Sequence, residues 1–111
     1  MIEVVAYVDA NGNSPFARWF DGLDFAAAAR VGAALLRIEQ GNLSSLKGLG
    51  GGLAEYKINV GPGYRIYLAR RGDSLIILLC GGTKQRRGAD IARARDYLAD
   101  YEHRLASERF Q

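Results

Sequence analysis

Cysteine, histidine, tryptophan and methionine each occur once in this chain of 111 residues, and proline twice. The lone Cys80 cannot close an internal disulfide, which argues against a disulfide-stapled secreted scaffold and fits a reducing cytoplasm. It ends an apolar run, and reactive thiols need an electropositive, partly exposed setting, so Cys80 is expected to be inert core packing. The single His103 falls on the exposed part of the last helical segment, so no histidine-based acid–base pair is expected. No Cys/His or carboxylate cluster has metal-ligand spacing, and a metal-free site without a cofactor is the expectation. No apolar run approaches the roughly 20 residues that span a bilayer. The start of the chain, MIEVVAYVDANGN, carries acids where a signal peptide would carry a basic region.

What remains is ordinary in bulk and uneven in arrangement. Half of the residues are hydrophobic and a quarter charged, as in a single soluble domain covering 1–111. The net charge of +3 conceals a segregation. Between Lys47 and Arg95 ten basic residues face three acids, a balance of +7, while the rest of the chain carries −4. Such a distribution marks a polyanion site or, more simply, the solvated face of a sheet.

Local patterns place the elements. Ile2 to Val8 is a β-branched strand closed by the turn-forming run 9–13. Ser14-Pro15 opens a short helix, with Ser as cap and Pro at the first helical position, and Phe16, Trp19 and Phe20 form its stripe. Asp24 caps a second helix through Gln40, with Phe25, Ala28, Val31, Leu35 and Ile38 on one side and Gly41 as its stop. Residues 42–52 form a Gly-rich connector without helix or strand pattern. They also lack the strand-to-helix context and the Gly-Lys-Ser/Thr ending of a phosphate loop.

A three-strand meander follows. With Gly61-Pro62-Gly63 as a three-residue hairpin loop, Val60 lies opposite Tyr64, Ile58 opposite Ile66 and Tyr56 opposite Leu68, all on an apolar face. The other face pairs Asn59 with Arg65, Lys57 with Tyr67 and Glu55 with Ala69, and a one-residue slip would mix the two faces. Arg71-Gly72-Asp73 makes the next turn. Leu75 to Cys80 is apolar on both sides and is expected to be a central, covered strand. Gly81-Gly82 allows a close turn, 83–87 forms a basic loop, and Ala89 or Asp90 opens a final helix with Ile91, Ala94, Leu98, Tyr101 and Leu105 on one face. The expected fold is α+β in the order β-α-α-β-β-β-α. A mainly antiparallel sheet packs against the two N-terminal helices, and a C-terminal helix ends the chain.

This order, together with SPFARWFDGL, RIEQGNLSSLKGLGGGLAEYKINVGPGYRIYL and LLCGGTKQRRGADIARA, resembles the RelE/ParE toxin superfamily. Within it, the GPGYRIY and LLCGGTK blocks are similar to the addiction-module killer proteins related to HigB-type toxins. The resemblance covers most of the chain. It implies a cytoplasmic toxin neutralised by a small helix-turn-helix antitoxin, with DNA contacted only through the toxin–antitoxin complex. For many relatives the activity is metal-independent cleavage of mRNA on the ribosome. Other members poison DNA gyrase without cutting RNA, and a non-toxic phage-derived binding module is a third possibility for the fold.

Attack of an RNA 2′-hydroxyl on the adjacent phosphate needs a base, cations at the phosphoryl oxygens and an acid for the leaving oxygen. Arg65 is the expected cationic clamp, because guanidinium matches phosphate geometry and stays charged. The resemblance implies a functional arginine in this GYR position. Lys57, matching a family lysine, can bind phosphate or act as base if neighbouring cations depress its pKa. Lys84, at a basic position of the family, can stabilise charge or donate a proton. RNA-binding roles are expected for Asn59, Tyr67, Lys47, Arg86 and Arg87. Two departures stand out. Asn59 occupies a place where some ribosome-dependent nucleases of this fold have a second basic residue. No tyrosine near Asp90-Ile91 offers a base-stacking ring, which leaves Tyr67 as the available aromatic surface.

Overall fold

The computed structural model describes residues 1–108. Five strands form one sheet: β1 (Glu3–Ala6), β2 (Leu46–Gly50), β3 (Leu53–Ile58), β4 (Tyr64–Arg71) and β5 (Leu75–Thr83). Three α-helices accompany them: α1 (Pro15–Asp21), α2 (Phe25–Glu39) and α3 (Arg87–Glu108). The spatial order is β1-β5-β4-β3-β2. β2 to β5 are antiparallel neighbours, whereas β1 lies parallel to β5 at the opposite edge. The architecture is therefore α+β with a mixed sheet, and no described helix is long and apolar enough to cross a membrane.

The helix starts follow the expected chemistry. Ser14 Oγ accepts from Ala17 N–H with Pro15 in the first turn, and Asp24 Oδ1 accepts from Ala27 N–H. Gly41, with φ of +85°, follows α2 as its stop. The buried stripe of α2 is Ala27, Val31, Ala34 and Ile38. Phe25 is not part of it and is 91 % exposed. At 100° per residue it stands about 160° around the axis from Ala27, which turns its ring to solvent.

The two sheet faces are covered by different helices. Phe16, Val31, Ala34 and Ile38 pack on Tyr56, Ile58, Ile66, Leu68, Ile76 and Leu78. On the other side, Ala94 and Leu98 of α3 pack with Tyr7, Leu53, Tyr67, Ala69, Ile77, Leu79 and Cys80. β5 is an interior, covered strand, as expected, but the middle strand of the five is β4, which is buried on both faces as well. The face that carries Lys57, Arg65 and Tyr67 is thus not an open cationic surface. Helix α3 lies across it, because Ala94, Leu98 and their neighbours need an apolar bed that the second face of β4 and β5 supplies.

Three further differences concern the connections. Residues 46–50 are not connector but the edge strand β2, which the glycines hid by removing the side-chain alternation. The β3–β4 loop holds five residues, so Ile58 pairs Tyr64, Tyr56 pairs Ile66, Lys57 pairs Arg65 and Glu55 pairs Tyr67. This is a two-residue shift from the expected pairing. Because side chains alternate with period 2, every residue keeps its face while every cross-strand partner changes. The loop closes with Gly63 N–H donating to Val60 O at 3.0 Å, and Gly61 and Gly63 take positive φ.

Gly81-Gly82 is not a turn either. β5 continues through both to Thr83, and a short 3₁₀ turn at Lys84–Arg86 runs straight into α3 in place of a basic loop. Their missing side chains serve close approach. A Cβ at Gly81 would collide with the Trp19 ring of α1, and one at Gly82 with the Asp90 carboxylate of α3. The two residues face opposite sides of the strand and let both helix layers sit against its end.

Candidate functional site

Strand register gathers the predicted site residues at one end of the α3 face. Residues paired across antiparallel strands project to the same side, so Lys57 of β3 and Arg65 of β4 lie side by side, with Gly82 of β5 next in the row. Lys84 joins them from the 3₁₀ turn: its N–H donates to Gly63 O at 2.9 Å. Arg65 Nη1 reaches the same Gly63 carbonyl at 3.4 Å. The hairpin end is therefore a corner where Lys57, Arg65 and Lys84 meet. Lys57, Asn59, Lys84 and Arg86 are exposed there.

Arg65 is not exposed with them. It is 6 % accessible, and its Nε lies 3.7 Å from Glu55 Oε2. Glu55 is the residue of this cluster that the sequence did not single out. Its 0 % exposed carboxylate sits in the next row, between Lys47 of β2 and Tyr67 of β4. Arg87, the first residue of α3, grips it with Nη2 at 2.8 Å from Oε1 and Nε at 3.1 Å from Oε2. This hydrogen-bonded pairing raises the Arg87 pKa further above its ordinary value. The available signal was a lone acid inside an otherwise cationic strand face, a pattern that burial would require to be paired.

The remaining predicted residues separate by environment. Tyr67 is 0 % exposed, so it offers no ring for base stacking, and the expectation of an aromatic surface there is corrected by the cover of α3. Burial is the main cause that raises its phenol to about 12, with the Glu55 charge adding to it. Arg87 is committed to Glu55 and half-exposed. Lys47 is exposed on edge strand β2, one row away from the corner. Asp90 is buried beside Gly82 and paired to Arg93. Among the described residues, Arg65 Nε, Tyr67 Oη and Asp90 Oδ2 are buried without a hydrogen-bond partner, and all three belong to this one polar cluster under α3.

Cys80 is inside, as its sequence setting suggested, and burial lifts its thiol to about 12. Tyr7, whose hydroxyl donates to Asp100 at 2.5 Å, is likewise raised to about 12, first by burial. For each of these acids the folded value exceeds the unfolded one, 9.0 for cysteine and 10.0 for tyrosine. Their contribution to stability is complete below pH 9 and is lost as pH rises through 12. Thermal midpoints are expected to be level between pH 7 and 8.5 and to fall steadily above pH 9; a flat profile to pH 11 would contradict these burials.

The arrangement is a cationic corner with exposed lysines, a braced arginine behind them and no exposed aromatic ring among the predicted site residues. No described group of three or more His, Cys, Asp or Glu side chains is placed to hold a metal ion.

No family model matches the chain. An uncharacterized protein of Haemophilus influenzae is 37 % identical over 81 residues, which cover 72 % of this chain and 82 % of the relative. On that extent of identity, the chain belongs to the same family as this Haemophilus influenzae protein.

Proposed function

We infer that the protein is the toxin of a type II toxin–antitoxin module of the RelE/ParE superfamily, acting as a ribosome-dependent mRNA endonuclease. The observation that carries this reading is the corner itself. Lys57 and Lys84, far apart in sequence, flank Arg65 at one end of the sheet. Three cations around one point match the charge that develops on a phosphoryl group under attack by the 2′-hydroxyl. Lys57 or Lys84 serves the proton transfers, and the ribosome supplies alignment of the RNA, which by itself can lower a barrier by several kcal/mol. A helix-turn-helix antitoxin that packs on the helices and reaches over this corner would block RNA access by competition without depending on any one of its cations.

The experiment is induction in a host lacking the antitoxin, with mapping of transcript 5′ ends. Codon-phased cuts and growth arrest are expected. Lys57→Ala and Lys84→Ala, both at exposed positions, are expected to relieve arrest while antitoxin binding persists, and Arg65→Ala to do so most completely. Full toxicity in all three would remove the corner from the mechanism. The burial of Arg65 and Tyr67 favours a second reading, a ParE-like inhibitor that binds DNA gyrase. Intact transcripts with a DNA-damage response would select it, and no arrest at all would indicate a non-toxic binding module.

A further inference from the structure

The geometry points to Glu55 as a positioning residue of this site, one that sets the direction of the Arg65 guanidinium and ties it to the start of α3. The proposal rests on the nuclease reading for its catalytic consequence, but not for its structural content. Glu55 and Arg65 stand on neighbouring strands, one pairing step out of register, so their side chains meet diagonally across the sheet. The carboxylate takes the Nε side of Arg65 at 3.7 Å. The opposite side of the guanidinium, through Nη1, then faces the Gly63 carbonyl and the Lys84 backbone at the corner. A guanidinium that is this deeply buried has few alternative rotamers, and the anion behind it selects the one aimed at the corner.

Glu55 does more than neutralise Arg65. Its two oxygens also accept three hydrogen-bond contacts from Arg87. One buried carboxylate thus braces β3, β4 and α3 at the same point. Arg65 Nε, at ion-pair but not hydrogen-bond distance, remains without a partner. The brace accordingly holds Arg65 by charge and packing and not by a hydrogen bond to Glu55.

The test is Glu55→Gln, which keeps the shape and an oxygen for Arg87 but removes the charge that orients Arg65. Cleavage of ribosome-bound mRNA is expected to lose about 10²-fold in kcat, with KM held within about twofold. Glu55→Ala is expected to lose more than Glu55→Gln, so that glutamine is a partial rescue. A folded Glu55→Gln protein with wild-type kcat would overturn the proposal. If the wild-type protein cuts no RNA, it is the nuclease reading that fails. The brace is then read by side-chain NMR: Arg65 Nε–H exchange should be slow in the wild type and at least about tenfold faster in Glu55→Gln, as expected when a buried charge pair is broken. Equal exchange in the two proteins would overturn the positioning role independently of any activity.

Discussion

Glu55→Ala is expected to destabilise the fold by about 3–5 kcal/mol, the range for removing one partner of a buried ion pair. For a domain of this size that corresponds to a drop in thermal midpoint of roughly 12–20 °C. The cause is not the loss of Arg87, which is half-exposed and can turn its guanidinium to water. It is Arg65, 6 % accessible and with no other carboxylate within ion-pair distance among the described residues, which would be left as a poorly compensated buried charge. The double variant Glu55→Leu with Arg65→Met removes both buried charges and is expected to recover most of the loss, because apolar replacement of a whole buried pair is commonly neutral or stabilising. Denaturation of the two variants at pH 7 decides the matter. A double variant as unstable as the single one would mean that lost packing, not the stranded charge, is responsible.

Gly82→Ala is expected to cost about 1–3 kcal/mol, the usual range for forcing atoms into a filled space. Its Cβ would lie 2.7 Å from Asp90 Cγ and closer still to one carboxylate oxygen. Neither side can yield easily: Gly82 is held in the β4–β5 ladder, and Asp90 is buried in the first turn of α3 and paired with Arg93. The cost should therefore be coupled to Asp90. Asp90→Ala opens the space, so the double variant is expected to be more stable than the sum of the singles by about 0.5 kcal/mol or more. Strict additivity, measured by denaturant titration of all three, would show that the clash is relieved elsewhere. Gly81→Ala tests the same principle against Trp19 on the opposite face.

Both effects lie in contacts that a linear reading could not pair. Glu55 has no neighbour of opposite sign in its own strand apart from Lys57, and in the expected hairpin register it met Ala69. The true loop length moves every pairing by two residues and brings Lys57 opposite Arg65 instead of Tyr67. Alternation in β4 revealed which side chains share a face, because the pleat depends on sequence spacing alone. It did not reveal that α3 covers the second face. The buried stripe of α3 contains Asp90, Ala94 and Leu98 among many exposed charges, a weak apolar signal for a helix that packs across three strands. The same ambiguity hid β2, whose Lys-Gly-Leu-Gly run has the glycine content of a loop and becomes a strand only by pairing with β3.

The meander and its basic character were legible from the residues, as were the caps of α1 and α2, the covered, non-edge place of β5 and the interior place of Cys80. Each depends on local conformational preference, side-chain periodicity or the hydrophobicity of a short run, and all of these are written along the chain. Tertiary structure alone decided that the cationic face is mostly interior. It divided the predicted clamp into exposed lysines and a buried arginine, and it assigned Glu55 to hold that arginine. The physical reason is that burial and ion pairing depend on which distant segment lies above a residue. For the face that carries Glu55, Arg65 and Tyr67 that segment is α3, whose position is set by the whole sheet and by Gly82, which lets its first turn approach.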